Sequence, residues 1–137
     1  MAEPFRTSRR VEFHETDMAG IVHFSNFFRY MEFAEQEFLR ARGLSVSWRE
    51  ENGTRFGFPR VAASCDYLKP VRFEDVVEIA VSLSRLGPKS VTYDFEFTCR
   101  GAAIARGRVS AVYCRGTPTG GLESIEIPDD LRAKLAG

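Results

Sequence analysis

Apolar positions recur with two different periods along these 137 residues, and the change of period divides the chain. Phe5, Thr7, Val11 and Phe13 share one parity while Arg6, Ser8, Arg10, Glu12 and His14 share the other. That alternation predicts a half-buried first strand, with the Arg6 to Arg10 basic run and His14 on its solvated face. From Ser25 to Arg42 the spacing changes: Phe27, Tyr30, Met31, Ala34, Phe38 and Leu39 fall on one side of a helix. Ser25 or Asn26 can cap its start, and Gly43 is placed to end it in a left-handed conformation. Phe28 and Phe33 widen the apolar surface beyond one stripe, so this helix is expected to be largely enclosed. Between residues 44 and 60, Gly53, Gly57 and Pro59 interrupt any period around Trp48, which predicts a connecting flap or crossover.

Period two then returns in four sets: Val61, Ala63, Cys65, Tyr67; Val77, Ile79, Val81, Leu83; Val91, Tyr93, Phe95, Phe97; and Val109, Ala111, Tyr113. Pro70, Gly87-Pro88 and Arg100-Gly101 punctuate them, which suits an antiparallel meander better than parallel crossovers. Pro128 before Asp129 and Asp130 opens a short final helix. A strand, a long apolar helix and about four long strands pack most economically as an α+β layer, one antiparallel sheet curled round the helix. With no repeat or linker, residues 1–137 are expected to form a single domain.

Composition narrows the functions. A hydrophobic content of 44% supplies one compact core, and a formal net charge of +0 gives no field that would recruit nucleic acid or an anionic membrane. An anionic ligand must therefore be held by a local cluster of cations. Met1 to Arg10 lacks the apolar core of a secretory signal and no later stretch has the length of a membrane span, so the expected location is cytoplasmic. Cys65, Cys99 and Cys114 are scattered and odd in number, which fits reduced, packed thiols and neither a disulfide framework nor a metal site.

The chemistry concentrates between the first strand and the helix, in Phe13-His14-Glu15-Thr16-Asp17-Met18-Ala19-Gly20-Ile21-Val22-His23-Phe24-Ser25-Asn26. Carboxylates and an imidazole among buried-type residues, just before a helix N-terminus, could bring an ionisable group and free backbone N–H donors to one apolar pocket. Taken alone, Asp17 is also what an Asx turn before a glycine looks like.

The motif Thr16-Asp17-x-x-Gly20-x-Val22-x-x-x-Asn26, followed by an aromatic-rich helix, resembles that of the 4-hydroxybenzoyl-CoA thioesterase family and the related small acyl-CoA thioesterases associated with the Tol-Pal system. The strand order, the Gly57-Phe58-Pro59 turn and the Ile127-Pro128 ending extend the resemblance over nearly the whole chain. It implies a hot-dog fold, an acyl-CoA substrate, no separate cofactor, and a homodimer or homotetramer with active sites at the subunit interface. It also implies that Asp17 is the catalytic carboxylate and that the Phe24 backbone N–H polarises the thioester carbonyl. Gly20 and Asn26 match positions that shape the loop and the helix entry.

One carboxylate and one oxyanion donor can suffice, because a thiolate leaves a carbonyl without strong acid help. Asp17 could attack directly or deprotonate a water. His23 is a candidate for contact with the acyl group, and Glu32 and Glu35 for lining its pocket, since some hot-dog thioesterases carry the catalytic carboxylate on the helix; Glu37 is expected to be solvated. No Walker loop or G-x-G-x-x-G fingerprint is present, so the CoA phosphates need scattered cations. The Arg85-Leu86-Gly87-Pro88-Lys89-Ser90 turn resembles the family's nucleotide-contacting turn, which makes Lys89 and Ser90, then Arg85 and Arg60, the candidates, with Gly57 beside them.

Two other readings remain at this stage. A hot-dog dehydratase or hydratase would use His23 as base and Glu32 as acid, but the glycine- and proline-rich run expected after such a histidine is replaced by Ser25-Asn26-Phe27-Phe28. A non-catalytic acyl-CoA-binding protein would keep the fold without turnover.

Overall fold

A computed structural model describes residues 3–137; Met1 and Ala2, the start of the segment read above for a signal core, lie outside the described residues. Strand β1 (Phe5–Arg10) is followed by a 3-10 turn (Phe13–Glu15), helix α1 (Asn26–Ala41), short strands β2 (Ser47–Arg49) and β3 (Arg55–Gly57), and β4 (Arg60–Tyr67). Long strands β5 (Val76–Leu86), β6 (Ser90–Cys99) and β7 (Ala102–Val112) come next, then β8 (Cys114–Gly116), β9 (Leu122–Ser124) and helix α2 (Asp129–Ala136). The main sheet is antiparallel throughout, in the order β1-β5-β6-β7-β4.

Alternation places Val77, Ile79 and Val81 of β5 and Val91, Tyr93, Phe95 and Phe97 of β6 on the buried face. The opposite face carries charges in register: Asp94 stands across from Arg108 and Glu96 from Arg106, at 2.7 and 3.3 Å. Those exposed pairs add little stability but keep the outer face wet. α1 lies across the inner face, with Phe27 edge-on to Phe97 and Phe38 edge-on to Tyr93, both at 5.4 Å. Gly107 permits this approach, since a Cβ there would stand 2.2 Å from Met31 Sδ.

Several expectations need correction. Phe13 does not continue the first strand; the chain turns after Arg10, and Phe13, 73% exposed, and His14 sit in the 3-10 turn. The helix is not largely enclosed: Phe28, Arg29 and Glu32 are exposed, because the sheet covers only the stripe through Phe27, Tyr30, Met31, Ala34, Glu35 and Phe38. Ser25 holds the N-cap position but makes no cap, its hydroxyl bonding His23 instead, and the first turn closes through Phe27 and Phe28 N–H bonds to Phe24 and Ser25 carbonyls. Gly43 does adopt φ +70°, and the Leu44 and Gly43 N–H groups reach back to Leu39 and Arg40 in a Schellman ending.

The 44–60 segment is not a bare connection. β2 and β3 join β8 and β9 in a second small sheet, held by stacking of Trp48, Phe56 and Tyr113. The first of the four later alternating sets also departs from its pattern: Val61, Ala63 and Tyr67 are exposed and Cys65 half-buried, because β4 is an edge strand. Cys99 and Cys114 are buried free thiols. Among the described residues no helix is long and apolar enough to cross a membrane, and no cluster of metal-ligating side chains occurs.

Candidate active site

The loop between β1 and α1 folds back on itself. Glu15 accepts the His23 N–H at 2.9 Å, Thr16 bridges Val22, and the Asp17 N–H donates to Ile21 at 2.9 Å. Asp17 therefore sits at the mouth of a tight turn closed by the Gly20 N–H on its own carbonyl, with Gly20 at φ +80°. Thr16 Oγ1 donates to the Phe13 carbonyl at 2.7 Å, and Val22 N–H to Val71 at 2.8 Å, which fastens the loop to the approach to β5.

Within this turn the Asp17 Oδ1 accepts the Ala19 N–H at 2.8 Å, an Asx turn, so the local role open to any such aspartate is realised. Oδ2 has no hydrogen-bond partner among the described residues. Asp17 lines a depression of about 520 Å³ together with Phe13, His14, Thr16, Met18, Gly20 and Phe73. Phe24 is 62% exposed, and no acceptor among the described residues takes its N–H. His23 stacks on the Phe24 ring at 4.6 Å, and its Nδ1 accepts the Ser25 N–H at 3.2 Å. Asn26 Nδ2 donates to the Glu15 carbonyl at 2.7 Å.

The candidates thus fall into three groups. Asp17, His23, Phe24 and Asn26 share the loop. Arg60, at the start of β4, pairs with buried Glu35 of α1 and lies 3.8 Å from Glu32; it shares a hollow of about 270 Å³ with Gly57. Arg85, Lys89 and Ser90 occupy the β5–β6 turn, which Arg132 of α2 braces by donating to the Leu86, Gly87 and Pro88 carbonyls. Glu37 pairs with Arg40 at the surface.

Burial raises the Glu35 carboxyl above its ordinary range; the charge and hydrogen bond of Arg60 oppose this, and Glu32 adds to it. Sequence reasoning missed three residues here. Glu15 is 3% exposed and accepts from Arg9 Nη2 at 2.6 Å, the Glu12 N–H at 2.8 Å and Tyr30 Oη at 3.0 Å. Tyr67 donates its hydroxyl to the Phe24 carbonyl at 3.0 Å. Tyr30 and Tyr67 carried an apolar parity, which signals a core and conceals a hydroxyl contact.

Residues 11–135, nearly the whole of this arrangement, match the model of the thioesterase-like superfamily. The chain belongs to that superfamily. As a thioesterase-like protein it has the hot-dog fold and is a thioester hydrolase. It is 39% identical over 103 residues, 75% of this chain and 79% of the relative, to a protein of Aquifex aeolicus (strain VF5) provisionally named an esterase. It is 31% identical over 97 residues to a 1,4-dihydroxy-2-naphthoyl-CoA hydrolase of Prochlorococcus marinus (strain MIT 9303), covering 66% of this chain and 64% of that one. Among solved structures, a gentisyl-coenzyme A thioesterase superposes with a TM-score of 0.78 at 30% identity, over 93% of this chain and 99% of the other.

Proposed function

We propose that this thioester hydrolase cleaves a small aromatic or short-chain acyl-CoA to the free acid and CoA, with Asp17 as nucleophile or general base. The observation that carries the reading is that one loop holds both a carboxylate whose Oδ2 has no partner among the described residues and a backbone N–H that no described acceptor takes. In the direct route Oδ2 forms a bond to the thioester carbon, the carbonyl electrons move onto oxygen facing the Phe24 N–H, and collapse expels the CoA thiolate. Water then cleaves the mixed anhydride and regenerates Asp17. In the other route Oδ2 takes a proton from the attacking water. The positive end of α1 favours charge on the carbonyl oxygen in either. An aromatic acyl group is supported by the exposed Phe13, Met18 and Phe73 beside Asp17, and by the substrates in the names of the relatives.

Geometry within one chain also supports a site shared between two copies. The Asp17 loop is fastened to residues 71–75, just before β5, whereas Lys89 and Ser90 follow its far end. An 11-residue strand spans roughly 33 Å. Along β4 the same polarity holds, with Tyr67 touching Phe24 at one end and Pro59 bonded to Val112, opposite Ser90, at the other. A second copy paired antiparallel along the open β4 edge would carry its own Lys89 turn to this Asp17 loop, and would cover Val61, Tyr67 and Phe28. The chain is accordingly expected to be at least a dimer and to need no added cofactor, in the cytoplasm where acyl-CoA is found.

Release of free thiol from a panel of acyl-CoA esters, followed with a thiol reagent, tests this. A thioester hydrolase releases thiol; a hydratase alters the acyl chain and leaves the thioester intact; a binding protein does neither. Light scattering that returned the 15.5 kDa monomer at micromolar concentration would sink the shared site.

A further inference from the structure

Glu15 acts through both its side chain and its backbone. The carboxylate is buried and accepts from three donors drawn from three places: Arg9 of β1, the Glu12 N–H, and Tyr30 of α1. Arg9 is itself held with its guanidinium 5.3 Å from the Tyr30 and Phe33 ring centroids. The carbonyl of the same residue accepts the His23 N–H and the Asn26 side-chain amide, the two residues that flank Phe24 and Ser25.

That arrangement fixes one peptide plane. The His23 carbonyl accepts the Asn26 N–H at 2.9 Å, and in a trans peptide the following N–H points the opposite way. Holding His23 and Asn26 to one carbonyl therefore aims the Phe24 N–H outward, where no acceptor among the described residues takes it. The Tyr67 hydroxyl fastens the other side of Phe24 through its carbonyl.

We infer that Glu15, clamped by Arg9 and Tyr30, is a positioning residue that orients the Phe24 N–H toward the substrate carbonyl. It makes no contact with substrate; it sets the direction of a donor whose effect depends steeply on alignment. Loss of the carboxylate frees the 3-10 turn, lets the Glu15 carbonyl rotate, and detunes the N–H while Asp17 keeps its own Asx turn. The inference rests on the Phe24 reading above, and its test separates the two.

Isotope-edited infrared spectroscopy of benzoyl-CoA, labelled with ¹³C at the thioester carbonyl and bound to Asp17→Asn, reports the donor directly, because that variant is expected to hold the ester without cleaving it. The bound carbonyl stretch should lie below its value in water. Adding Glu15→Gln, which keeps size and one acceptor but loses the charge facing Arg9, should shrink that downshift, and so should Tyr30→Phe, which keeps the ring and loses one hydroxyl if Glu15→Gln fails to fold. In the Asp17 enzyme each change should lower kcat by about tenfold to about 10²-fold, with KM within about twofold. A downshift unchanged in both variants, with only the unfolding midpoint lowered, overturns the inference and leaves Glu15 a structural anchor. Absence of any downshift in bound Asp17→Asn itself overturns the Phe24 reading, and the inference with it.

Discussion

Two carboxylates are buried among the described residues, Glu15 beneath the loop and Glu35 in the middle of α1, and they sit in opposite electrostatic states. Burial by itself would raise both. At Glu15 the Glu12 N–H, the Tyr30 hydroxyl and Arg9 outweigh burial and hold the carboxyl below its ordinary range. At Glu35 one oxygen meets Arg60 and the other, Oε2, has no partner among the described residues, so burial prevails and the carboxyl is raised. Donor number and depth act together: Glu15 has three donors under a surface loop, whereas Glu35 lies deeper with one. Glu15 is a fixed strut; Glu35 is held at a cost.

Half-buried Asp17 supplies the sharpest contrast, since its carboxylate should matter for chemistry and hardly for stability. Asp17→Asn is expected to lower turnover by about 10³-fold, roughly 4 kcal/mol on the transition-state scale, with an unchanged melting temperature because an amide oxygen still accepts the Ala19 N–H. Retention of more than about a tenth of the rate, a loss below about 1.4 kcal/mol, would remove Asp17 as catalyst.

Next in size is the strut. Glu15→Ala strands Arg9, the Tyr30 hydroxyl and the Glu12 N–H together, and should destabilise by about 3 kcal/mol in urea titration at neutral pH. Because its folded value is lowered, the stabilisation by Glu15 is present above the ordinary carboxylate value of about 4.3 and is lost as pH falls through the folded value. Acid unfolding in the variant should therefore lose that contribution to its pH dependence; an unaltered acid profile would contradict the strut.

The Glu35 pair should respond differently to loss of each partner. Arg60→Ala leaves a buried carboxylate unopposed and is expected to destabilise by about 2 kcal/mol at neutral pH, whereas Glu35→Gln should stay within about 1 kcal/mol of the unaltered chain. With a raised folded value the sign reverses: the contribution of Glu35 is fully present below the ordinary carboxylate value and is lost as pH rises through the folded one. Glu35→Gln should flatten that decline. Equal losses from both substitutions would mean the pair is cohesive, and would erase the difference from Glu15.

The smallest effect is expected at the exposed Lys89. Its carbonyl, which accepts the Tyr113 N–H, survives in Lys89→Ala, so the fold should not change. KM for acyl-CoA should rise by about threefold to tenfold at low salt and less at high salt, with kcat nearly constant. A pantetheine thioester, which lacks the nucleotide, should show no difference; an equal loss on it would remove Lys89 from phosphate binding.

Period, punctuation and motif determined much of this protein in the sequence alone. The alternation in β5 and β6 and the helical spacing from Phe27 to Leu39 state local geometry directly, because side-chain direction follows backbone period. Gly43 announced the end of α1 because only a residue free of a Cβ takes φ +70° without strain. The placement of Asp17 on a turn was likewise local, written in four consecutive residues. Tertiary structure decided the rest. Val61 to Tyr67 alternates like a core strand, yet its burial depends on what lies beyond the sheet edge, which no periodicity encodes. Within residues 44–60, β2 and β3 formed because they pair with each other and β3 found β8 beside it. Arg60, a scattered cation in the sequence, met Glu35 across 25 positions, and Glu15 met Tyr30 across 15. A hydrogen bond over such a separation exists only once the sheet and helix have packed, so the state of each buried carboxylate was settled by the fold.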